Sequence, residues 1–292
     1  MLLPKSRGAE LPNLVHVIIT RFSLITHGRE YGIRMTPGWL EGRFDLFERY
    51  CLPTLAAQTR QDFIWLVLFD EGTPEWARER IARCQAVRPF TPLYLGQFDA
   101  TGWARMVRDA IGDPAPGRLV LTSNLDNDDG IAADYVARVQ DCARREWRGE
   151  TMAINAPWGL VMSGRRLYLH YHPSCAFTNM VEADTAAIRV TMTIRHNDLP
   201  KLLPLHQIGG GPGWLQVVHG GNVSNRVRGK VIDKPGASAF PACVLSGVDN
   251  PRWWEKLWDN GVIAPARALR DQVFLLIRRL IPPDRNPGAA PR

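Results

Sequence analysis

Phe63-Ile-Trp-Leu-Val-Leu-Phe69 sets seven apolar residues in a row and closes in Asp70-Glu-Gly-Thr-Pro74. A short apolar run bounded by turn residues suits a strand buried on both faces, the situation of a parallel sheet covered by helices. Leu14-Val-His-Val-Ile-Ile-Thr-Arg21 has the same character, and Leu119-Val-Leu121 is a third such run. Helical faces lie between and after them. Leu40, Phe44, Phe47, Cys51 and Leu55 follow a Thr36-Pro37 start, with Pro53 expected to kink that helix, and Ala77, Ile81 and Cys84 follow Thr73-Pro74. Trp103, Met106, Val107 and Ala110 share one side, as do Tyr135, Val139, Cys142 and Ala143 in a helix from Ala132 to about Trp147. A short strand around Leu93–Leu95 completes an alternation of strand and helix up to Glu150, which predicts α/β layering with a largely parallel sheet.

Beyond Glu150 the pattern changes to short strands at Met152–Asn155, Leu160–Met162, Arg166–Tyr171, Ala187–Ile194 and Trp214–Val218. The segment Lys201–Gly213, with Gly209-Gly-Gly-Pro-Gly213, is either a lid over a site or a passive surface loop. The chain divides into a domain over residues 13–250 and a basic C-terminal part over 251–292. In that part Trp253, Trp254 and Trp258 precede a helix over Ala266–Ile281, with Leu269, Val273, Leu276 and Leu280 on one face. Such a helix either packs on its own domain or lies on an anionic membrane surface. Residues 284–292, rich in Pro, Gly and Ala, are expected to be disordered.

The 292 residues carry a net charge of +7 with pI near 9.4, which favours anionic partners. Long Lys/Arg runs and zinc-finger or RNA-binding signatures are absent, so nucleic acid is not an expected partner. The chain has no apolar stretch near the ~18–20 residues of a membrane span. The start, Met1–Gly8, lacks the apolar core of a signal peptide, and the five scattered cysteines fit reduced thiols. Together these point to a cytoplasmic protein, peripheral at most to the inner face of a membrane, in which the Asn222-Val-Ser224 sequon carries no meaning.

Leu119–Leu121 runs into Asp126-Asn-Asp128-Asp129-Gly130. Three carboxylates in four residues repel one another, a cost that a plain turn does not require. If the segment stays extended, Asp126 and Asp128 point to one side and can share a hard divalent cation, with phosphate oxygens completing its shell. Asp129 then points away. In open sheets ligands bind at the carboxyl ends of strands, where Asp70 also lies.

Leu52-Pro-Thr-Leu-Ala-Ala-Gln58-Thr59, Asp70-Glu-Gly-Thr73 and Leu125-Asp-Asn-Asp-Asp129, in this order and spacing, resemble the N-terminal half of GT-A glycosyltransferases. With Thr20-Arg-Phe-Ser23 and Trp214-Leu-Gln-Val-Val-His219-Gly-Gly-Asn222, the chain over residues 14 to 230 is most similar to the bacterial rhamnosyltransferase family. The resemblance implies a GT-A fold and a nucleotide-sugar donor, dTDP-L-rhamnose, with a surface glycan or lipid-linked acceptor. It also implies Mn²⁺ or Mg²⁺ on Asp126 and Asp128, stabilising the departing diphosphate. Asp70, Thr20 and Arg21 would line the nucleotide, although Arg21 could instead be a structural partner of the acidic segment. His219, which closes a strand before Gly220-Gly221, is the expected third metal ligand, with His196 as its rival. His170 and His172 lack a neighbouring carboxylate in the sequence and are expected to be hairpin decoration.

An inverting transfer needs a base for the acceptor hydroxyl. Glu182 is the first choice, with Asp184 and Asp198 as alternatives. Transfer from UDP- or GDP-sugars, or nucleotide-sugar binding without catalysis, are the competing readings. A P-loop kinase is not supported, because no Gly-x-x-x-x-Gly-Lys-Ser/Thr is present.

Overall fold

The computed structural model describes residues 12–24, 34, 36–96, 102–220, 226–234 and 239–280, with side chains in the last segment described up to residue 273. The tail 284–292, the sequon and the side chains of Leu276 and Leu280 lie outside the described residues. Leu14–Arg21 forms β1, Ile64–Asp70 β2, Thr91–Leu95 β3 and Leu119–Asn124 β4. β5 (Gly130–Ile131), β6 (Met152–Asn155), β7 (Trp158–Ser163) and β8 (Arg166–Tyr171) follow. The later strands are β9 (Asn179–Ala183), β10 (Leu205–Gln207), β11 (Trp214–Val218) and β12 (Lys230–Ile232). Among the described residues one sheet has the order β10-β6-β9-β4-β1-β2-β3, and every strand in it except β9 runs the same way. A second sheet has the order β12-β8-β7-β11-β5.

The apolar runs are double-sided, as their composition requires. Trp65, Val67 and Phe69 of β2 join Ile18, Phe44, Phe47 and Ile81 on one face, while Leu66 and Leu68 join Val17, Ile19, Met106 and Val107 on the other. Burying each large side chain is worth roughly 1.5–3 kcal/mol, so β1 and β2 anchor both layers. The helices that cover the sheet are α1 (Trp39–Leu46), α2 (Leu52–Ala56), α3 (Glu75–Val87), α4 (Gly102–Ile111) and α5 (Tyr135–Glu146).

Three local expectations change. The helix expected after Thr36-Pro37 begins at Trp39, with Thr36-Pro37 in the preceding turn and Gly38 at its N-cap in the left-handed region (φ 76°). It passes Pro53 through a π turn over Phe47–Cys51, where Leu52 N–H reaches back to Phe47 O. A π turn is a recognised way to absorb a missing hydrogen bond.

The strand expected at Ala187–Ile194 is absent, and the sheet is filled instead by β9. Side chains satisfy the amides of the former segment. Glu182 accepts from Arg189 N–H and Val190 N–H at 2.9 and 3.0 Å, and Thr122 Oγ1 accepts from Thr191 N–H at 2.8 Å. With those donors occupied, the backbone turns at Val190 (φ 59°) and gains nothing from a ladder.

The glycine-rich segment is pinned. Arg138 donates to Gly209 O at 2.7 Å, and Gly213 N–H donates to Trp158 O at 2.8 Å.

Candidate active site at the acidic end of β4

Parallel pairing of β4, β1 and β2 carries Asn124, Arg21 and Asp70 to one rim of the sheet. Past β4 the chain does not stay extended. Asp129 N–H donates to Asp126 O, closing a turn over Asn127 and Asp128. Asn127 stitches that turn to the end of β1, donating to Arg21 O at 3.0 Å and Phe22 O at 2.8 Å.

The second sheet completes the rim. β5 pairs antiparallel with β11, Gly130 opposite Leu215, so the chain after Leu215 returns alongside the acidic turn. Asp129 accepts from Val217 N–H at 2.8 Å, and two residues on His219 Nε2 meets Asp128 Oδ2 at 2.9 Å. Asp129 therefore faces away from the acidic pair and serves the sheet junction.

Gln58 holds this junction from below. It donates to Thr54 O and Ala132 O, both at 2.8 Å, and accepts from Val136 N–H at 3.0 Å. A Cβ on Gly130 would lie 2.9 Å from the Thr54 side chain, so the close approach requires glycine there.

Electrostatics divide the three carboxylates. Burial acts to raise Asp128, but the His219 hydrogen bond and the Arg43 charge outweigh it and hold the carboxyl below its ordinary range. Arg43 donates to the same oxygen at 2.9 Å and to Asn127 Oδ1 at 3.3 Å. Asp129 is pushed well upward by burial and then by the neighbouring Asp128 and Asp126 charges. Asp126 meets Arg21 at 3.5 Å in a half-exposed pair, so Arg21 takes the role of partner to the acidic segment. Asp70 accepts from Arg34 at 2.8 Å and from Gly72 N–H at 2.7 Å. The guanidinium carbons of Arg34 and Arg43 each lie 5.5 Å from the centre of a Trp39 ring.

His219 and Asp128 are hydrogen bonded at 2.9 Å, a separation that a shared cation would also accept. Two cis ligands of an octahedral ion at about 2.1 Å stand roughly 3.0 Å apart. Among the described residues no three His, Cys, Asp or Glu side chains form a complete metal-holding group. The protein would thus supply Asp128 and His219, and phosphate oxygens and water the rest, a usual arrangement at nucleotide sites. Asp126, turned to Arg21, stands beside that pair.

Other expected residues lie elsewhere. Thr20 is fully buried. β1 alternation turns it to the Ile18 side, where its hydroxyl accepts from Trp65 Nε1–H at 3.0 Å, so it does not line a nucleotide. Glu182 pairs with Val120 in mid-sheet and spends its carboxylate on the Arg189 and Val190 amides, which corrects its assignment as base. Asp184 is likewise consumed by Arg108, Arg118 and Ala115 N–H. Asp198 keeps a part-exposed carboxylate bonded to Lys201 at 2.7 Å.

His196 does not bond Asp128 but joins His172 at a ring separation of 6.2 Å, and His172 lies 5.9 Å from His170. All three imidazoles are held below their ordinary range, first by burial, with His172 lowered to about 4. His170, on β8, and His172, just beyond it, thus pack with His196. Arg43 and Arg34 were not foreseeable as site residues, because no motif marks them; Asn127 stands inside the acidic motif, but its bonds to the end of β1 are not written there.

The crystal structure of S. aureus TarS aligns with 70% of this chain and 37% of its own at 8% identity and TM-score 0.42. The crystal structure of S. aureus TarS 1-349 aligns with 70% of this chain and 60% of its own at 9% identity and TM-score 0.38. The chain thus spans less than two thirds of these proteins. No curated protein sequence matches it. Residues 15–231 match the family described as "Putative rhamnosyl transferase", and this chain belongs to that family.

Proposed function

We propose that the chain is a glycosyltransferase that moves L-rhamnose from dTDP-rhamnose to a bacterial surface glycan or a lipid-linked acceptor, with a divalent cation. The observation that carries the reading is the convergence of His219 on Asp128, at cis-ligand spacing, on the rim that also holds Asp70. Family membership supports the sugar, and the acidic rim supports a nucleotide diphosphate donor.

In this reading Asp128 and His219 hold Mn²⁺ or Mg²⁺, which when bound neutralises charge developing on the leaving diphosphate. Asp126 adds negative charge beside it. Arg43 donates to the Asp128 oxygen that His219 also meets, and keeps that carboxylate ionised and oriented. Asp70, fixed by Arg34 and by Gly72 N–H, is placed to accept from nucleotide hydroxyls on the rim. Asp198 is assigned as the base for the acceptor hydroxyl. Of the three acids considered it keeps the most exposed carboxylate.

The test is thermal stabilisation by a panel of nucleotide sugars with and without Mn²⁺ or Mg²⁺, followed by transfer assays. Stabilisation by dTDP-rhamnose only with cation supports the reading. Preference for UDP- or GDP-sugars moves the donor, and no response to any of them favours a protein without transferase activity.

A further inference from the structure

The C-terminal helices are amphipathic in the reverse of the usual sense. Trp253–Trp258 forms α6, a π turn spans Asp259–Ile263, and Ala264–Leu280 forms α7. A surface helix ordinarily turns its apolar stripe to its own domain. Here polar side chains face the domain. Glu255 pairs with Arg166 at 2.7 Å and Lys256 with Asp233 at 2.6 Å, while Asn260 exchanges two hydrogen bonds with Val231. Arg267 donates to Gly229 O and lies over the Tyr168 ring, and Asp271 receives Arg228 at 3.2 Å. The opposite side is apolar and open: Trp253, Leu257, Trp258 and Leu269 are 71, 65, 62 and 62% exposed, and Trp254, Val262 and Val273 are exposed with them. An outward apolar strip of this extent demands a covering partner.

We infer that this face docks the protein on an anionic lipid bilayer, with the tryptophans and Leu269 at the headgroup boundary. Residues 252–280 carry six basic and three acidic side chains, a net charge of +3 within a chain of +7. Arg270 is exposed beside the apolar strip. Indole rings favour the interface of a membrane, and basic side chains add attraction to anionic headgroups. A second copy of the chain fits less well, since two such faces would set like charges against each other.

The contacts on the inner side fix the docked helix to the domain, Asp271 holding Arg226 and Arg228. A docked protein would share its membrane with a lipid-linked acceptor. This extends the reading of a lipid-linked acceptor, but vesicle binding is measured without donor or turnover, so each can fail alone.

The experiment is flotation of the full chain with phosphatidylcholine vesicles, with and without phosphatidylglycerol, at low and high salt. The expected result is binding that needs phosphatidylglycerol and weakens with salt. Joint replacement Trp253→Glu, Trp258→Glu and Leu269→Glu should weaken it by roughly tenfold or more. These side chains are exposed, so the variant should keep the wild-type melting temperature. The proposal is overturned if the wild type does not float with phosphatidylglycerol, or if the variant floats equally well. It is also overturned if light scattering shows a dimer that the same substitutions dissociate.

Discussion

His219 and Asp128 stand 91 positions apart in the chain, yet their side chains meet at 2.9 Å because the antiparallel pairing of β5 with β11 returns the chain along the acidic turn. In the proposed reading, two groups held at this separation before any cation arrives would be a preorganised half-shell. His219→Ala should therefore remove most of the Mn²⁺-linked rise in melting temperature, since ligand-induced stability scales with affinity. Titration of the melting temperature against Mn²⁺, for wild type and variant, checks this; equal midpoints would falsify the ligand role.

Asp198 should act on the acceptor and not on the donor. Asp198→Asn is expected to lower kcat by about 10²-fold or more while leaving dTDP-rhamnose affinity within about twofold. Steady-state kinetics with calorimetric donor binding separate the two. Because the side chain is part-exposed, the variant's stability should match wild type.

His16 lies beneath the acidic strand in a buried chain of hydrogen bonds. Gln140 donates to its Nδ1, its Nε2–H reaches Ser123 Oγ at 2.8 Å, and Ser123 donates to Asn179. Burial, followed by the Arg144 charge, lowers its pKa to about 3. The unfolded imidazole binds its proton near pH 6.5, so between there and about pH 3 the unfolded state holds more protons. Stability therefore falls as pH falls through that window, by up to ~1.4 kcal/mol per pH unit from this group. His16→Gln should flatten that part of the profile, as read from urea melts between pH 4 and 7.

Gln58 belongs to the motif that points to a transferase, but its work is architectural. It is 4% exposed and its amide satisfies Thr54 O, Ala132 O and Val136 N–H. Gln58→Ala should cost about 2–3 kcal/mol of stability, because it strands buried polar groups. Denaturant melts should show that loss. Where both proteins are folded, donor affinity should change far less than in Asp128→Ala.

β1 and β2 were legible because each is dominated by apolar, largely β-branched or aromatic residues, and their order with the acidic segment was enough to foresee the rim. Asp128 and His219 were legible as types of residue at strand ends, but their meeting depends on a sheet pairing that no local pattern encodes. Thr20 misled because its hydroxyl answers Trp65, 45 positions away. Glu182 misled because an acid beside strands resembles a base until its amide partners are known. Arg43 reaches Asp128 from α1 across 85 positions and carries no motif. In the C-terminal helices periodicity revealed an apolar face, yet not that ion pairs would turn it outward.

The junction of β5 with β11 also sets the order in which the proposed site can come into being. A nascent chain that has emerged only as far as Asn179–Ala183 already possesses the strands β1, β2, β4 and β9, and with them the acidic turn. It lacks His219 and the strand that clasps Asp129. In the proposed reading, cation affinity should therefore arise late in synthesis, after the Trp214–His219 segment leaves the ribosome, so that a product ending at Ala183 would carry the acidic turn without the histidine that meets it.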